Sequence, residues 1–269
     1  MTLEFTKMNG AGNDFILIDN RRRKIRLTRA QVVRLCDRHR GIGADGLFLL
    51  VPPRSGQADW AWQFYNSDGS SASMCGNGAR CFARFARRLT RASGDVRFET
   101  GAGIITARFK GSRVTVNLTE PTDLRLDREL DVEDRKLTLH SVNTGVPHAV
   151  LIVPNADRAM VQPLGSAIRH HKIFAPKGTN VNFVQLRGPR FIRVRTYERG
   201  VEGETLACGT GVTAAALVSA RLNAFRSPVK VQVQGGDTLQ VAFKENQGRF
   251  TDVRLTGPAD FVFDGRIEL

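Results

Sequence analysis

The sequence predicts an α+β fold made of two similar halves. Each half has many short strands and one long helix, unlike the regular strand–helix alternation of a parallel sheet. The motif Cys-Gly-x-Gly occurs twice, at 75–78 and 208–211, and each copy runs directly into a helical segment. A dinucleotide-binding fold is not indicated, because Gly10-Ala11-Gly12 precedes a strand and not a helix.

Size and composition place the chain among ordinary soluble proteins. Its 269 residues are 41% hydrophobic and 25% charged, and this length favours two domains. No segment has the length of a membrane helix, and the N-terminus lacks the apolar core of a signal peptide, so a cytoplasmic location is expected. The formal charge of +14 suggests polyanion binding, but the basic residues are dispersed except for 21–24. Nucleic-acid binding without catalysis therefore remains only a distant alternative.

Apolar periodicity and turn residues predict the elements of the first half. Leu3–Lys7 reads as a strand, and a helix should run from an N-cap at Thr28 to about Arg38. After Cys75, apolar positions recur on one face of a helix that reaches Leu89, with arginines on the other face. The further predicted strands are Phe15–Asp19, Leu47–Val51, Trp60–Tyr65, 95–100, 102–109 and 113–118.

The second half repeats this organisation. The polar segment 120–136 lacks large apolar runs, so we place the domain boundary there, with domains 1–118 and 119–256. The segment 260–269 is expected to return to the first domain, which then includes 257–269. The helix after Cys208 is apolar nearly all round, as a buried helix would be. Another helix is predicted around 161–171, and strands near 137–143, 148–153, 180–187, 190–197, 229–234, 238–244 and 249–256.

The two repeated cysteines are candidates for acid–base chemistry. Free N–H groups and the helix dipole favour negative charge at a helix N-terminus, so a thiol there is expected to have a lowered pKa. The neighbouring glycines let several backbone N–H groups approach one anion. Either copy alone could be a packed cysteine before a tight turn, but their doubling suggests two thiols that face each other across a ligand. Neither copy has the second ligand expected of a metal site, and Cys36 and Cys81 are interpreted as reduced core residues.

Several blocks along the whole chain resemble the diaminopimelate epimerase family. Together with the two cysteine motifs, they cover the sequence from end to end and are highly specific as a set. The blocks are Asn9–Phe15, Arg40–Gly46, Tyr65–Ser70, Met74–Arg80, Gly178–Phe183, Tyr197–Gly200 and Glu204–Gly211.

The resemblance implies a fold and a reaction. The family fold has two pseudo-symmetric domains, each a β-barrel-like sheet wrapped around a central helix, with a ligand cleft between them. The implied reaction is cofactor-independent and converts LL-2,6-diaminopimelate to the meso form, in lysine and peptidoglycan precursor biosynthesis. Cys75 and Cys208 would act as base and acid on opposite faces of the α-carbon, which suits a thiolate–thiol pair. Backbone groups at 76–77 and 209–210 would hold the α-carboxylate.

The resemblance also assigns roles to residues outside the two motifs. Arg199 would bind the distal carboxylate, for which a planar guanidinium is well suited. His148 and Glu198 would lie beside the thiols and help to set their charge. A homodimer with Phe263 at its interface is a further family expectation. The implied substrate-binding residues are Asn13, Gly46, Asn66, Gly76, Asn77, Asn180, Glu198, Arg199, Gly209 and Thr210.

Two positions depart from the pattern of some family members, and both concern ligand recognition. Val146 replaces an asparagine, and Gly46 replaces a glutamine, which leaves only backbone at that position. The nearest alternative is a proline racemase or hydroxyproline epimerase, which shares the fold and the two thiols. That family resembles Met-Cys-Gly-His at the first motif, where this chain has Asn77, and proline has no distal carboxylate for Arg199 to bind. Diaminopimelate is therefore the preferred substrate.

Overall fold

Strands dominate the structure, a computed structural model that describes residues 2–269. Up to Asn117, the elements are β1 (Thr2–Gly10), β2 (Asn13–Asp19), α1 (Arg29–Cys36), β3 (Gly46–Val51), β4 (Trp60–Asn66), α2 (Gly76–Thr90), β5 (Val96–Thr100), β6 (Gly103–Lys110) and β7 (Arg113–Asn117). The next part contains β8 (Thr122–Val132), β9 (Arg135–Asn143), β10 (Pro147–Ile152), α3 (Val161–Arg169), a 3-10 turn (Lys172–Phe174), β11 (Asn180–Gly188), β12 (Phe191–Glu198) and β13 (Gly203–Thr205). The last elements are α4 (Gly209–Asn223), β14 (Val229–Gln232), β15 (Thr238–Asn246), β16 (Arg249–Pro258) and β17 (Asp260–Glu268).

The chain divides into two compact units. The first contains the residues up to Asn117 together with Gly257–Leu269, and the second contains Leu118–Thr256. In the first unit the strand order is β17-β1-β2-β3-β4-β5-β6-β7. All neighbours are antiparallel except β2/β3 and β4/β5, whose parallel pairings require crossover connections, and these carry α1 and α2. The last strand, β17, pairs with β1 at the edge of this sheet.

The second unit repeats the topology of the first. Its strand order is β8-β9-β10-β11-β12-β14-β15-β16, with β13 added beside β12. The parallel pairs are β10/β11 and β12/β14, and their crossovers carry α3 and α4. Thus β10, β11, β12 and α4 occupy the positions that β2, β3, β4 and α2 occupy in the first unit.

Each unit wraps its sheet around one long helix. α2 packs against strands along the whole order of the first sheet, namely β1, β2, β3, β5, β6 and β7. α4 does the same with β9, β10, β11, β12, β14 and β15. The predicted fold class, a sheet wrapped around a central helix in each half, is confirmed.

The helix predictions were accurate at their starts, with one error about a buried face. α1 has the predicted N-cap at Thr28, whose side chain and that of Gln31 form a capping box. Residues 211–220 of α4 are all buried, as the apolar pattern predicted. Arg80 of α2, however, was assigned to the solvent face and is fully buried. Its guanidinium donates to the carbonyl oxygens of Gly76 and Pro258 at 3.2 and 3.1 Å, which compensates for its burial.

The polar segment 120–136, for which no strand was predicted, contains one. Most of it is β8, an eleven-residue strand that pairs with β9 in an antiparallel hairpin. Alternate side chains, from Leu124 to Val132, turn inward, and the last of these are buried. Charged residues make up much of the strand, and they conceal the alternation of inward and outward side chains in the sequence.

An aromatic cluster forms much of the core of the first unit. Phe48 of β3 stacks on Phe64 of β4 with ring centroids 4.2 Å apart, and its edge contacts Phe15 of β2 at 5.3 Å. Phe82 of α2 packs on Trp62 and Phe98 at 5.6 and 4.9 Å. The helix is therefore fixed to the sheet by rings that lie on both elements.

We predict that Phe82→Ala lowers the free energy of unfolding of the first unit by about 3–5 kcal/mol, because it leaves a cavity among rings that cannot collapse into it. The exposed Val33→Ala in α1 is the control and should change it by less than about 0.5 kcal/mol. Urea unfolding followed by tryptophan fluorescence, which comes from Trp60 and Trp62 of the first unit, measures both. Equal losses in the two variants would contradict this description of the core.

Candidate functional site

Cys75 lies at the N-cap of α2, with an extended backbone. Its sulfur accepts a hydrogen bond from the backbone N–H of Gly78 at 3.4 Å, so the thiol takes the place of a capping hydroxyl. A Cβ at Gly78 would lie 2.4 Å from the ring of Phe48. Glycine is therefore what allows the first turn of α2 to rest on the aromatic core, with Cys75 at its tip.

Cys208 occupies the equivalent position in the second unit, at the N-cap of α4. Its sulfur lies 3.5 Å from the hydroxyl of Thr210, and the thiol is buried. Here a Cβ at Gly211 would lie 2.4 Å from Oδ1 of Asn182, the counterpart of the Phe48 ring. Thr144 donates from its hydroxyl to the carbonyl oxygen of Thr210 at 3.0 Å and holds the turn.

The predicted binding residues of the first unit gather around the start of α2. Gly46, the first residue of β3, pairs with Asn66 at the end of β4. Asn13 begins β2, and its Oδ1 accepts a hydrogen bond from Nδ2 of Asn77 at 2.6 Å. Gly76 and Asn77 are the first residues of α2. Amide side chains and the N–H groups of a first helical turn therefore lie close together in this unit, which suits a ligand that both donates and accepts.

The second unit gathers its predicted residues in the same way. His148 begins the buried part of β10 and pairs in parallel register with Asn180 of β11. The Asn180 side chain binds both the carbonyl oxygen of Pro147 and the backbone N–H of Arg199, at 3.0 and 2.9 Å. Glu198 ends β12 and accepts a hydrogen bond from the Thr205 hydroxyl at 2.9 Å. Gly209 and Thr210 open α4.

Burial controls the charge of the histidine. The His148 ring is 1% exposed, and burial, with a smaller contribution from the positive charge of Arg199, lowers its pKa to about 3. The imidazole is therefore neutral over the physiological range. It acts as a hydrogen-bonding group there and not as a cation.

A charged network that the sequence did not reveal supports Asn13. Asp45 accepts from Nδ2 of Asn13 at 2.9 Å and from Arg38 at 2.8 Å. Lys7 forms an ion pair with Asp14 at 2.9 Å and donates to the carbonyl oxygen of Gly43. Burial alone would raise the pKa of Asp14, but hydrogen bonds from Arg38 and Lys7 outweigh it, and the pKa is lowered. Asp45 lies in the block Arg40–Gly46 that resembles the family, but only the folded chain shows which amide it orients.

Asn182 is the second functional candidate that was not identified. It is a fully buried asparagine in the middle of β11, and its amide contacts Nδ1 of His148 at 3.2 Å. A polar residue between the apolar Val181 and Phe183 was the available signal.

The remaining two cysteines lie in the core, as predicted. Burial raises the pKa of both the Cys36 and the Cys81 thiol to about 12. Since only the thiolate is a strong nucleophile, both should be inert near neutral pH. Among the described residues, 2–269, no helix is both long and apolar enough to cross a membrane.

The sequence matches a known protein family along most of its length. The family model described as diaminopimelate epimerase matches residues 5–123 and 140–262. The curated diaminopimelate epimerase of Aquifex aeolicus is 45% identical over 98% of both chains, and that of Hydrogenobaculum sp. is 43% identical over 97% of both. That of Chlorobaculum tepidum is 44% identical over 97% of this chain and 100% of its own.

Solved structures with low sequence identity share the fold. A phenazine biosynthesis protein of the PhzF family from Bacillus anthracis has a TM-score of 0.76 at 15% identity, with full coverage of both chains. A probable proline racemase from Agrobacterium radiobacter has 0.72 at 18%, and a hydroxyproline epimerase from Agrobacterium vitis has 0.73 at 17%, each covering 99% of this chain and 92% of its own. At such identities the likeness concerns the fold alone.

We predict that a neutral alkylating reagent modifies Cys75 well before Cys36 and Cys81. Cys75 is partly exposed at a helix N-terminus, whereas the other two are buried with raised pKa values. Brief treatment with iodoacetamide at pH 7.5, followed by peptide mass mapping, measures the order. Denatured protein, in which all three should react alike, is the control. Early loss of the Cys36 thiol in the native protein would contradict the assignment.

Proposed function

Because the chain belongs to the diaminopimelate epimerase family, we propose that it converts LL-2,6-diaminopimelate to the meso form by a two-base mechanism carried by Cys75 and Cys208. The reaction, diaminopimelate epimerisation, is an isomerisation in lysine biosynthesis. One observation carries the mechanism. Each cysteine is the N-cap residue of a buried central helix, and the two cysteines occupy equivalent positions of a repeated topology.

The proton balance of the mechanism is simple. One cysteine, as the thiolate, takes the α-proton, and the electron pair of the broken C–H bond moves toward the α-carboxylate. The other cysteine, as the thiol, then gives its proton to the opposite face of the same carbon. The substrate is inverted, and the thiol and thiolate have exchanged, so the two residues swap roles with the direction of reaction.

Helix N-termini supply the stabilisation that the carbanion needs. The backbone N–H groups at Gly76 and Asn77, and at Gly209 and Thr210, lie in the first turns of α2 and α4, where the helix dipole is positive. They would hold the α-carboxylate while negative charge develops on it, in a direction that the helix dipoles favour. No step of this scheme requires a cofactor or a metal.

The side-chain groups near each helix start would bind the rest of the substrate. Arg199 would form the bidentate contact with the distal carboxylate, and Asn180 fixes its backbone. Asn13, Asn66 and the backbone of Gly46 would bind from the first unit. Glu198 and His148 would lie beside the thiols, where a carboxylate and a neutral imidazole adjust the balance between thiol and thiolate.

The assembly and location form a second part of the proposal. We propose a cytoplasmic enzyme whose two units act as its two domains, and which forms a homodimer through β17. Val262 and Phe263 are 56% and 49% exposed on that strand, although both are large and apolar. The ring of Phe263 lies at 5.8 Å from Phe5, which holds it in a defined orientation.

We predict that Cys75→Ala and Cys208→Ala each lower the rate of epimerisation by about 10²–10⁴-fold or more, because each removes one of the two proton-transfer groups. Chiral chromatography of diaminopimelate measures the rate in protein freed of pyridoxal phosphate and metal. The matched control is Cys36→Ala, a buried cysteine outside the site, which should stay near the rate of the unmodified protein.

Two results would contradict this prediction. Full activity in Cys208→Ala would show that Cys208 is not one of the two proton-transfer groups. Exchange of the α-hydrogen with solvent deuterium in proline or hydroxyproline, but not in diaminopimelate, would assign the site to the alternative substrates.

We further predict that Asp45→Ala raises KM for diaminopimelate about five- to tenfold with a smaller change in kcat. The variant releases the amide of Asn13, and one hydrogen bond has a net value of about 1 kcal/mol. Asp95→Ala, which breaks only an exposed ion pair with Arg108, serves as the control and should leave KM unchanged. Steady-state kinetics of both variants test the role of Asp45, and an unchanged KM in Asp45→Ala would show that Asn13 needs no such support.

A further inference from the structure

The repeat places different chemistry beneath the two cysteine helices. Strand register pairs Phe15 with Gly46 in the first unit and His148 with Asn180 in the second, so Phe15 and His148 are equivalent. By the same register, Phe48 corresponds to Asn182, and Phe64 to Thr196. The glycine contacts agree independently, since Gly78 touches Phe48 and Gly211 touches Asn182. A stack of three rings thus underlies α2, and a polar trio underlies α4.

The polar trio is buried and tightly connected. Asn182, His148 and Thr196 are exposed by 0%, 1% and 3%. The hydroxyl of Thr196 donates to Oδ1 of Asn182 at 3.0 Å. Nδ2 of Asn182 contacts the carbonyl oxygen of Ala149 at 2.9 Å and Nδ1 of His148 at 3.2 Å.

These contacts determine the orientation of the Asn182 amide. The carbonyl oxygen of Ala149 can only accept a hydrogen bond, so the NH₂ group of Asn182 must face it. The same NH₂ group faces His148, which means that Nδ1 of the ring accepts and carries no proton. A neutral imidazole has one N–H, so that proton lies on Nε2.

The other ring nitrogen is the one left for a ligand. Nε2 of His148 is buried and has no hydrogen-bond partner among residues 2–269. Leaving a buried N–H donor without a partner is unfavourable, and a functional contact would offset that cost. In the first unit the equivalent positions are phenylalanines and can offer no donor at all.

We propose that Asn182, held by Thr196, is a positioning residue that locks His148 in the tautomer with its proton on Nε2. His148 is then a fixed neutral donor that stabilises the sulfur or carboxylate oxygen on which negative charge develops, and it is not the base of the reaction. This assignment rests on the proposed function of His148 beside the thiols. It also makes the second unit the one that supplies a side-chain donor from below its helix.

The test combines a direct reading of the tautomer with kinetics. In protein labelled with ¹⁵N-histidine, with the His148 signals assigned from a His148→Gln variant, ¹⁵N–¹H correlation spectra at pH 7 should show a proton on Nε2 and none on Nδ1. In Asn182→Asp the new carboxylate accepts from the ring, which moves the proton to Nδ1. That variant should lose about 10²–10³-fold in kcat, the usual effect of removing one donor to a developing charge, with a smaller change in KM.

Matched variants separate positioning from simple damage to the core. Asn20→Asp makes the same exchange at a buried asparagine that binds Ile25 in the first unit, and it should keep kcat. Thr196→Val should reduce kcat and mix the two tautomers, and Thr196→Ser, which restores the hydroxyl, should recover both. If Asn182→Asp does not fold, the two Thr196 variants and the spectrum of the unmodified protein still test the proposal.

Some outcomes would overturn the inference. A proton on Nδ1 in the unmodified protein does so whatever its activity, as does an unchanged kcat in Asn182→Asp with the proton moved to Nδ1. Failure of the proposed function would be seen differently, as a protein that never epimerises diaminopimelate while its His148 tautomer is as predicted.

Discussion

The structure depends on placing a thiol at the N-terminus of a buried helix in each unit. α2 and α4 lie inside their own sheets, where the N–H groups of a first turn would ordinarily remain unsatisfied. In each unit the N-cap residue is a cysteine, and two glycines lie in the first turn that follows it. Cys75 accepts from the backbone of Gly78, and Gly78 and Gly211 allow the first turns to approach β3 and β11 more closely than any side chain would permit.

The shared topology explains why the two halves can do related chemistry with different surroundings. Parallel pairs at β2/β3 and β10/β11 bring the starts of neighbouring strands to the same edge, so Asn13 and Gly46, or His148 and Asn180, lie beside the helix tip. The side chains that lie beneath the helix differ between the two units. Phe48 and its neighbours make the first unit rigid through ring packing, while Asn182 and Thr196 make the second specific through directed hydrogen bonds. A buried polar layer limits the ring of His148 to one hydrogen-bonding pattern, which an apolar layer could not do.

Local patterns in the sequence predicted most of the elements of the fold. The cap at Thr28, the starts of both long helices and most strands follow from periodicity and capping chemistry, which act over a few residues. β8 was missed because its charged residues conceal an alternation that ends in Leu130 and Val132. Arg80 was misplaced because its partners are backbone oxygens, one of them at Pro258, and no pattern along the chain reveals such a contact.

The site shows the same division between local and distant information. The two thiols could be recognised from their own motifs, because a helix N-terminus and its glycines are adjacent in sequence. Asp45 and Asn182 could not, because each acts through an amide or a ring that only strand pairing brings near it. Roles that depend on orientation, such as the tautomer of His148, require the folded register and not merely the residue type.

The central claim of this account is that two different groups handle the two faces of one carbon atom. The direct test is the reaction of LL-diaminopimelate in D₂O, stopped at low conversion, with the isotope at the α-carbon measured separately in product and recovered substrate. The account predicts deuterium in nearly every inverted product molecule and hydrogen in the remaining substrate, because the donor has exchanged with solvent and the acceptor is a different group. Product that retains the original hydrogen would mean that a single base serves both faces, and it would contradict the account.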